Sequence, residues 1–230
     1  MCRTTILQGW KVLKSKLSLE RIANTFNPLT CFSPHSRGTS HVVAADATGM
    51  AVTLTSTVNR HFGSQLMIPE TGIIMNNEMN DFSIPNTTNA FGYIPSPYNF
   101  IRPGKRPLSS ISPVIVEYLA NSTLYFVVGA AGGSRIITAA IQTLWHVLDH
   151  NFTTHEALSE PRLHDQLTPN QVQFEYAYDN GTVAFMEGRG HSVTWIPLAQ
   201  SAVHALRRLP NGTFEAAGDP RMHASAGYAV

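Results

Sequence analysis

The run LYFVVGAAGGSRIITAAIQTLWHVL, residues 124–148, constrains the fold of this chain more than any other stretch. Its first part is a short apolar run rich in Val, Phe and Tyr, which reads as a buried strand. In its last part Ile136, Ile137, Ala140, Ile141, Leu144, Val147 and Leu148 recur at helical spacing, so one face of a helix is expected to be buried. Gly132 and Gly133 join the two. Consecutive glycines let backbone N–H groups approach a ligand closely, and a helix start adds positive potential there, which suits an oxyanion hole. Tight packing of strand on helix asks for glycine equally, so the feature alone supports both readings.

The rest of the chain frames this unit. HVVAAD and AVTLTST, around a tight Ala-Thr-Gly turn, predict a hairpin beginning just after Thr39. The segment from Ser83 to Pro107, interrupted by Pro85, Pro95, Pro97 and Pro103, predicts a long loop of the kind that often carries function. PVIVEY is a strand that precedes LYFVVGA across a turn at Asn121. THEALSEPR predicts a short helix ending near Pro161, QVQFEY a strand, and GTVAFMEGRGH is ambiguous, with its GRGH read as a turn. The closing stretch predicts strands around a Pro-Asn-Gly turn. Strands, then helices, then strands imply an α+β chain of sheets covered by helices rather than an alternating parallel fold.

At 230 residues one domain is the default. A formal net charge of +1 with 13% charged residues gives no long-range field for steering nucleic acid or holding an anionic membrane, so neither partner is expected. Cys2 and Cys31 both lie near the start, leaving the remainder without a disulfide framework or thiolate metal site. Sequons at Asn86, Asn121, Asn151, Asn180 and Asn211 are candidate glycan sites if the chain enters the secretory route. Residues 1–38 hold six Lys or Arg and one Glu, lack the apolar core of a signal peptide, and suit a solvated amphipathic helix better than a transit segment.

Several clusters could carry chemistry. His146 and His150 stand one helical turn apart, but HVLDH lacks the Glu beside the first His that a zinc protease uses as base, so a flanking pair is expected and no metal. Glu78 and Asp81 in NNEMNDF could hold a substrate ammonium, with Asn76 or Asn77 as further acceptors, or form a solvated acidic turn. Ser109 and Ser110 stand in a proline-bounded run that could present hydroxyls to a carboxylate. The run SPHSRGTSH, residues 33–41, is either a polar loop or a cleavage point that frees a threonine nucleophile.

Taken together, RGTSHVVAAD, AVTLTSTVN, FGSQLMIPETGIIMNNEMNDFS, PGKRPLSSISP, VVGAAGGSRI and the terminal GDPR and GYAV resemble, in order, the small catalytic subunit of γ-glutamyltransferases, also called glutathione hydrolases. The resemblance spans nearly all of the chain after residue 37. It implies an N-terminal-nucleophile hydrolase with a four-layer αββα sandwich, made as a zymogen that cuts itself, here between Gly38 and Thr39. A threonine hydroxyl needs a base, and a freed α-amine on the same residue supplies one with an ordinary pKa of about 7.7–8.0.

By the same resemblance Thr39 is the nucleophile and Thr57 orients it. Asn59, Glu78 and Asp81 hold the substrate α-ammonium, Ser109 and Ser110 the α-carboxylate, and Gly132 and Gly133 the oxyanion. The implied reaction hydrolyses glutathione or transfers its γ-glutamyl group to amino acids or dipeptides, with no cofactor, in a secreted, cell-surface or vacuolar glycoprotein. Family precursors carry a much longer large-subunit region before the threonine, including an arginine that clamps the carboxylate. Residues 1–38 are therefore expected to be an unmatched leader to a catalytic domain over 39–230. The sandwich is expected to be incomplete and to expose apolar surface, with a large subunit as partner. A catalytically silent light-chain-like relative is the alternative.

Overall fold

The computed structural model describes residues 38–89, 91–222 and 225–229. The expectations placed on the leader lie outside the described residues, apart from Gly38. No described helix is long and apolar enough to cross a membrane.

The described residues begin with the expected hairpin, β1 (Thr39–Ala45) and β2 (Ala51–Thr57), in which Thr39 stands opposite Thr57 and Ala45 opposite Ala51. Period-two alternation turns Thr39, His41, Val43 and Ala45 to one side and Ser40, Val42 and Ala44 to the other. Two-residue strands β3 (Met67–Ile68) and β4 (Ile73–Ile74) follow, then a 3₁₀ turn at Glu78–Asp81 and another at Pro97–Asn99 inside the proline-rich loop.

β5 (Val114–Glu117) and β6 (Leu124–Ala131) lead into helix α1 (Arg135–Leu148) and then α2 (Thr154–Ser159). Thr153 and Glu156 close a reciprocal capping box at the start of α2, which ends before Pro161. β7 (Leu163–His164), β8 (Val172–Glu175), α3 (Asn180–Gly188) and β9 (Val193–Ile196) form a separate small sheet and its helix, with β8 and β9 parallel. The ambiguous GTVAFMEGRGH is thus mostly helix, begun by the Asp179 side chain accepting from the Thr182 N–H at 2.6 Å. β10 (Ala202–Arg208) and β11 (Phe214–Gly218) complete an antiparallel four-stranded sheet in the order β11, β10, β6, β5.

β6 is the centre of the fold because both of its faces are covered. Phe126, Val128 and Ala130 meet Ile136, Ala139 and Val147 of α1 and Leu158 of α2. On the other face Leu124 and Val127, with Leu206 of β10, meet Val43, Ala45 and Ala51 of the hairpin. Gly129 also faces the hairpin, and a Cβ there would collide with the imidazole of His41. The described residues therefore stack as hairpin, sheet and helices.

One face of α1 is buried as expected, but the residues expected on it need correction. Ile136, Ala139, Ala140, Thr143 and Val147 are buried, whereas Ile137, Ile141 and Leu148 are exposed at 44%, 58% and 48%. The apolar positions are too many for one contact arc, so part of them forms a second, outward stripe that Trp145 joins. The outward hairpin face is also apolar, with Val42, Val52 and Leu54 about half exposed.

Polar burial is concentrated where β8, β11 and the α2–β7 link converge. Arg162 pairs with Asp219 at 2.7 Å and Arg221 with Glu175 at 2.6 Å, and Arg221 reaches Asp219 at 3.3 Å. Arg162 also donates to the Ser201 hydroxyl and carbonyl, at 3.3 and 3.4 Å. The buried charges are thereby both paired and hydrogen-bonded, as burial requires.

Candidate active site

The hairpin register brings its first and last residues together. Thr39 Oγ1 and Thr57 Oγ1 are 2.9 Å apart, and Thr57 Oγ1 also accepts the Asn59 N–H at 2.8 Å. The chain leaves β2 through Asn59 at φ +69°, a conformation asparagine tolerates better than most residues. Its side-chain amide donates to the Asn77 carbonyl at 3.1 Å, tying the end of β2 to the Glu78–Asp81 turn. Gly38 extends the ladder backwards: its N–H donates to the Asn59 carbonyl, and its carbonyl accepts from the Val58 N–H at 2.9 Å. A side chain at Gly38 would press on Val58 and on the Arg60 carbonyl, which explains the glycine there.

These residues open onto a cleft of about 270 Å³. Thr39, Thr57, Asn59, Glu78, Asp81, Ser109, Ser110 and Gly133 all line it, together with Asn99 and the aromatic pair Phe91 and Tyr93. Gly132 does not line it. Its φ of +139° and the closeness of the Gln200 carbonyl and Ser201 leave no room for a Cβ, so its glycine answers to packing. Gly133, at φ +62°, forms the cleft wall beside the first turn of α1. Among the described residues neither the Gly132 nor the Gly133 N–H has a hydrogen-bond partner.

The electrostatics differ along the cleft. Burial, and after it the neighbouring Asp81, raise the Glu78 carboxyl to about 7 against the opposing Thr57 hydroxyl. Glu78 Oε1 is buried without a hydrogen-bond partner in the described structure. Two carboxyl groups so placed favour a cationic guest. Ser109 Oγ accepts the Ile111 N–H at 3.2 Å, and the Ser110 carbonyl accepts the Ser112 hydroxyl at 2.8 Å. Both serine hydroxyls keep the capacity to donate to an anionic guest.

Among the described residues no group of three or more His, Cys, Asp and Glu could hold a metal ion. His146 and His150 join an aromatic cluster instead, His146 stacked on Phe152 and His150 edge-on to Trp145. His41 was absent from the candidates drawn from sequence, although strand alternation puts it on the same face as Thr39. It is 6% exposed, bonded to Thr55 at 2.7 Å and Thr53 at 3.0 Å, and lowered to about 4 by burial and by His204. A neutral imidazole is thus held under β1. Asn99 was also missed, because its side-chain partners Asp81, Ser83 and Leu108 lie 18, 16 and 9 residues away and no local pattern marks them.

Comparison with known proteins comes after this geometry. The family described as Gamma-glutamyltranspeptidase matches residues 11–229. A glutathione hydrolase proenzyme of Arthroderma benhamiae is 53% identical over 205 residues, covering 89% of this chain and 35% of that protein. The chain thus spans about a third of the length of this fungal relative. Scoloptoxin SSD20 of Scolopendra dehaani is 37% identical over 188 residues, covering 82% of this chain and 95% of the toxin. The crystal structure of a Helicobacter pylori gamma-glutamyltranspeptidase mutant superposes with a TM-score of 0.75 at 37% identity, covering 80% of this chain and all of that one. The fold is accordingly that of the N-terminal-nucleophile hydrolases in α+β form.

Proposed function

Because this chain belongs to the γ-glutamyltranspeptidase family, we propose that it carries the catalytic half of a glutathione hydrolase whose nucleophile is Thr39. The single observation that carries the reading is the 2.9 Å approach of the Thr39 and Thr57 hydroxyls at the mouth of a cleft with carboxyls on one side and serines on another. In maturation the Thr39 oxygen attacks the Gly38 carbonyl carbon, the Gly38–Thr39 C–N bond breaks, and the nitrogen takes the proton. Water then hydrolyses the resulting ester and leaves Thr39 with a free α-amine. The Val58 N–H already donates to the carbonyl oxygen that would gain charge, which supports this step.

In turnover the α-amine takes the Thr39 hydroxyl proton while the oxygen attacks the γ-amide carbonyl of glutathione. Gly133 supplies a backbone N–H donor to the developing oxyanion. The proton passes to the leaving amine, and the γ-glutamyl ester is hydrolysed by water or taken by an amino acid or dipeptide. Asn59, Glu78 and Asp81 hold the α-ammonium, and Ser109 and Ser110 the α-carboxylate. A large-subunit-like partner completes the site. That part of the reading is supported by the apolar outer face at Val42, Val52 and Leu54 and by the third of the fungal relative that this chain spans. A second reading, a light-chain-like protein working without such a partner, is favoured by the near-complete coverage of the short scoloptoxin.

Mass spectrometry of the purified chain tests maturation: a species beginning at Thr39 is expected. A γ-glutamyl anilide assay, with and without a co-expressed large-subunit region, then tests turnover. No release of the aniline under either condition overturns the enzymatic reading.

A further inference from the structure

Asn99 ends the 3₁₀ turn Pro97–Asn99 in the middle of the long loop, yet it bonds to both sides of the cleft. Its Nδ2 donates to the Asp81 carbonyl at 2.8 Å and to the Ser83 hydroxyl at 3.3 Å. Its Oδ1 accepts the Leu108 N–H at 2.9 Å, immediately before Ser109 and Ser110. Its own carbonyl accepts the Ser83 N–H at 3.0 Å. The amide orientation follows from this network, since the reverse assignment would set oxygen against the Asp81 carbonyl and nitrogen against the Leu108 N–H.

We infer that Asn99 is a positioning residue that sets the spacing between the carboxyl turn, Glu78–Asp81, and the serine pair, Ser109 and Ser110. The inference rests on the proposed γ-glutamyl donor site. Those two groups would grip opposite charges on one carbon of the donor. Their separation therefore decides whether an α-amino-acid head is preferred over a chain end bearing one charge. No element of regular structure joins the two segments directly: Asp81 closes a one-turn 3₁₀ helix and Ser109 lies in irregular chain before β5. Only a side chain with donors on one atom and an acceptor on another spans them in this way, which a carboxylate or an alkyl group cannot do. Because the donors reach backbone and Ser83 rather than the carboxyl groups themselves, Asn99 acts by geometry and leaves the local charge unchanged.

The test is a calorimetric titration of the full chain with L-glutamate and with 4-aminobutyrate, which lacks the α-carboxylate. Wild type is expected to prefer glutamate, and a lack of preference would overturn the donor-site reading on which the inference stands. Asn99→Ala should reduce that preference about tenfold, the size of one lost bridging hydrogen bond. Asn99→Asp keeps the bond to Leu108 and removes the Nδ2 donors, so it remains informative if the alanine variant does not fold, and a loss of similar size is expected. A general loss of structure would weaken both ligands alike. A glutamate preference retained in folded Asn99→Asp while wild type shows it would refute the positioning role.

Discussion

Thr39 Oγ1 and Thr57 Oγ1 face each other at 2.9 Å across the first cross-strand pair of the opening hairpin. The Asn59 N–H occupies an acceptor site on Thr57, and the Thr57 hydroxyl also bonds to the Glu78 carboxyl, so it sits between the Thr39 hydroxyl and an acidic group. Thr39→Ala is expected to abolish self-cleavage and turnover together. Thr57→Val keeps the β-branched shape and removes only the hydroxyl, so it should slow both by about ten- to a hundredfold. The rate at which a Thr39-initiated species appears, followed by mass spectrometry, checks both variants; turnover surviving in Thr39→Ala would refute the mechanism.

Asp81 lines the same cleft as Thr39 but belongs to the Glu78–Asp81 turn, a different segment of the wall. Asp81→Ala should leave self-cleavage within about twofold of wild type while raising KM for a γ-glutamyl donor, on the order of tenfold or more, as loss of a charge-assisted bond implies. Steady-state kinetics on the matured variant make the distinction. A fall in kcat with KM unchanged would place Asp81 in the chemical step instead.

The Glu78 carboxyl, raised to about 7 by burial and by Asp81, gives the site a pH dependence of definite sign. Between its ordinary value of 4.5 and about 7 the folded state holds a proton that the unfolded state has lost, so stability contributed by this group falls as pH rises through that window. A guest ammonium favours the ionised form, so its affinity should rise as pH passes about 7. Glu78→Gln should flatten both trends. Thermal melts and glutamate titrations from pH 5 to 8 provide the check, and a variant with unchanged slopes would rule out Glu78 as their source.

The hairpin, β6 and the strand–glycine–helix turn were legible because their periodicities are local and strong. The Thr39–Thr57 approach follows from hairpin register once a tight Ala-Thr-Gly turn is assumed. Other features depend on distant chain. The outward stripe of Ile137, Ile141 and Leu148 could not be separated from the buried one, because hydrophobic spacing reports how wide an apolar arc is and not how much of it meets a neighbour. Asn99, His41 and the Arg162–Asp219 pair owe their roles to partners many residues away, and nothing adjacent in sequence marks them. Gly132 and Gly133 look equivalent in sequence, yet only Gly133 lines the cleft, since Gln200 and Ser201 close over the first glycine.

Asp219 is buried between Arg162 and Arg221 and also accepts the Val203 and Arg221 N–H groups, at 2.8 and 3.0 Å. Burial alone would raise its carboxyl, but the two guanidinium groups and the backbone donors outweigh that cost and hold it below the usual 3.8. Asp219→Ala leaves Arg162 buried without its partner and should destabilise the fold by about 3–5 kcal/mol. Wild type should lose the stabilisation from Asp219 as pH falls from about 4 downward, because the unfolded state then binds a proton first. Urea melts at pH 7 and pH 3 measure both effects, and a variant within 1 kcal/mol of wild type at pH 7 would show the pair to be dispensable, since about 3 kcal/mol is the smallest loss this burial allows.

His41 rests directly on Gly129, the one position of β6 where the hairpin comes too close for any side chain. Gly129→Ala inserts a methyl group against a ring that is 6% exposed and fixed by Thr53 and Thr55, so the ring cannot move aside without breaking two hydrogen bonds. The expected cost is about 1–3 kcal/mol, the usual penalty for overpacking a filled interior. His41→Ala removes the clash while opening a cavity, so the double variant should be more stable than the sum of the two single losses predicts. A coupling energy near zero would mean that the strand shifts rather than the ring. Thr39 precedes His41 on the same face of β1, so a displaced hairpin would also move the nucleophile. Self-cleavage in Gly129→Ala should therefore be slower than in wild type at equal fraction folded, and recover in the double variant, whereas a purely global destabilisation would leave the rate per folded molecule unchanged.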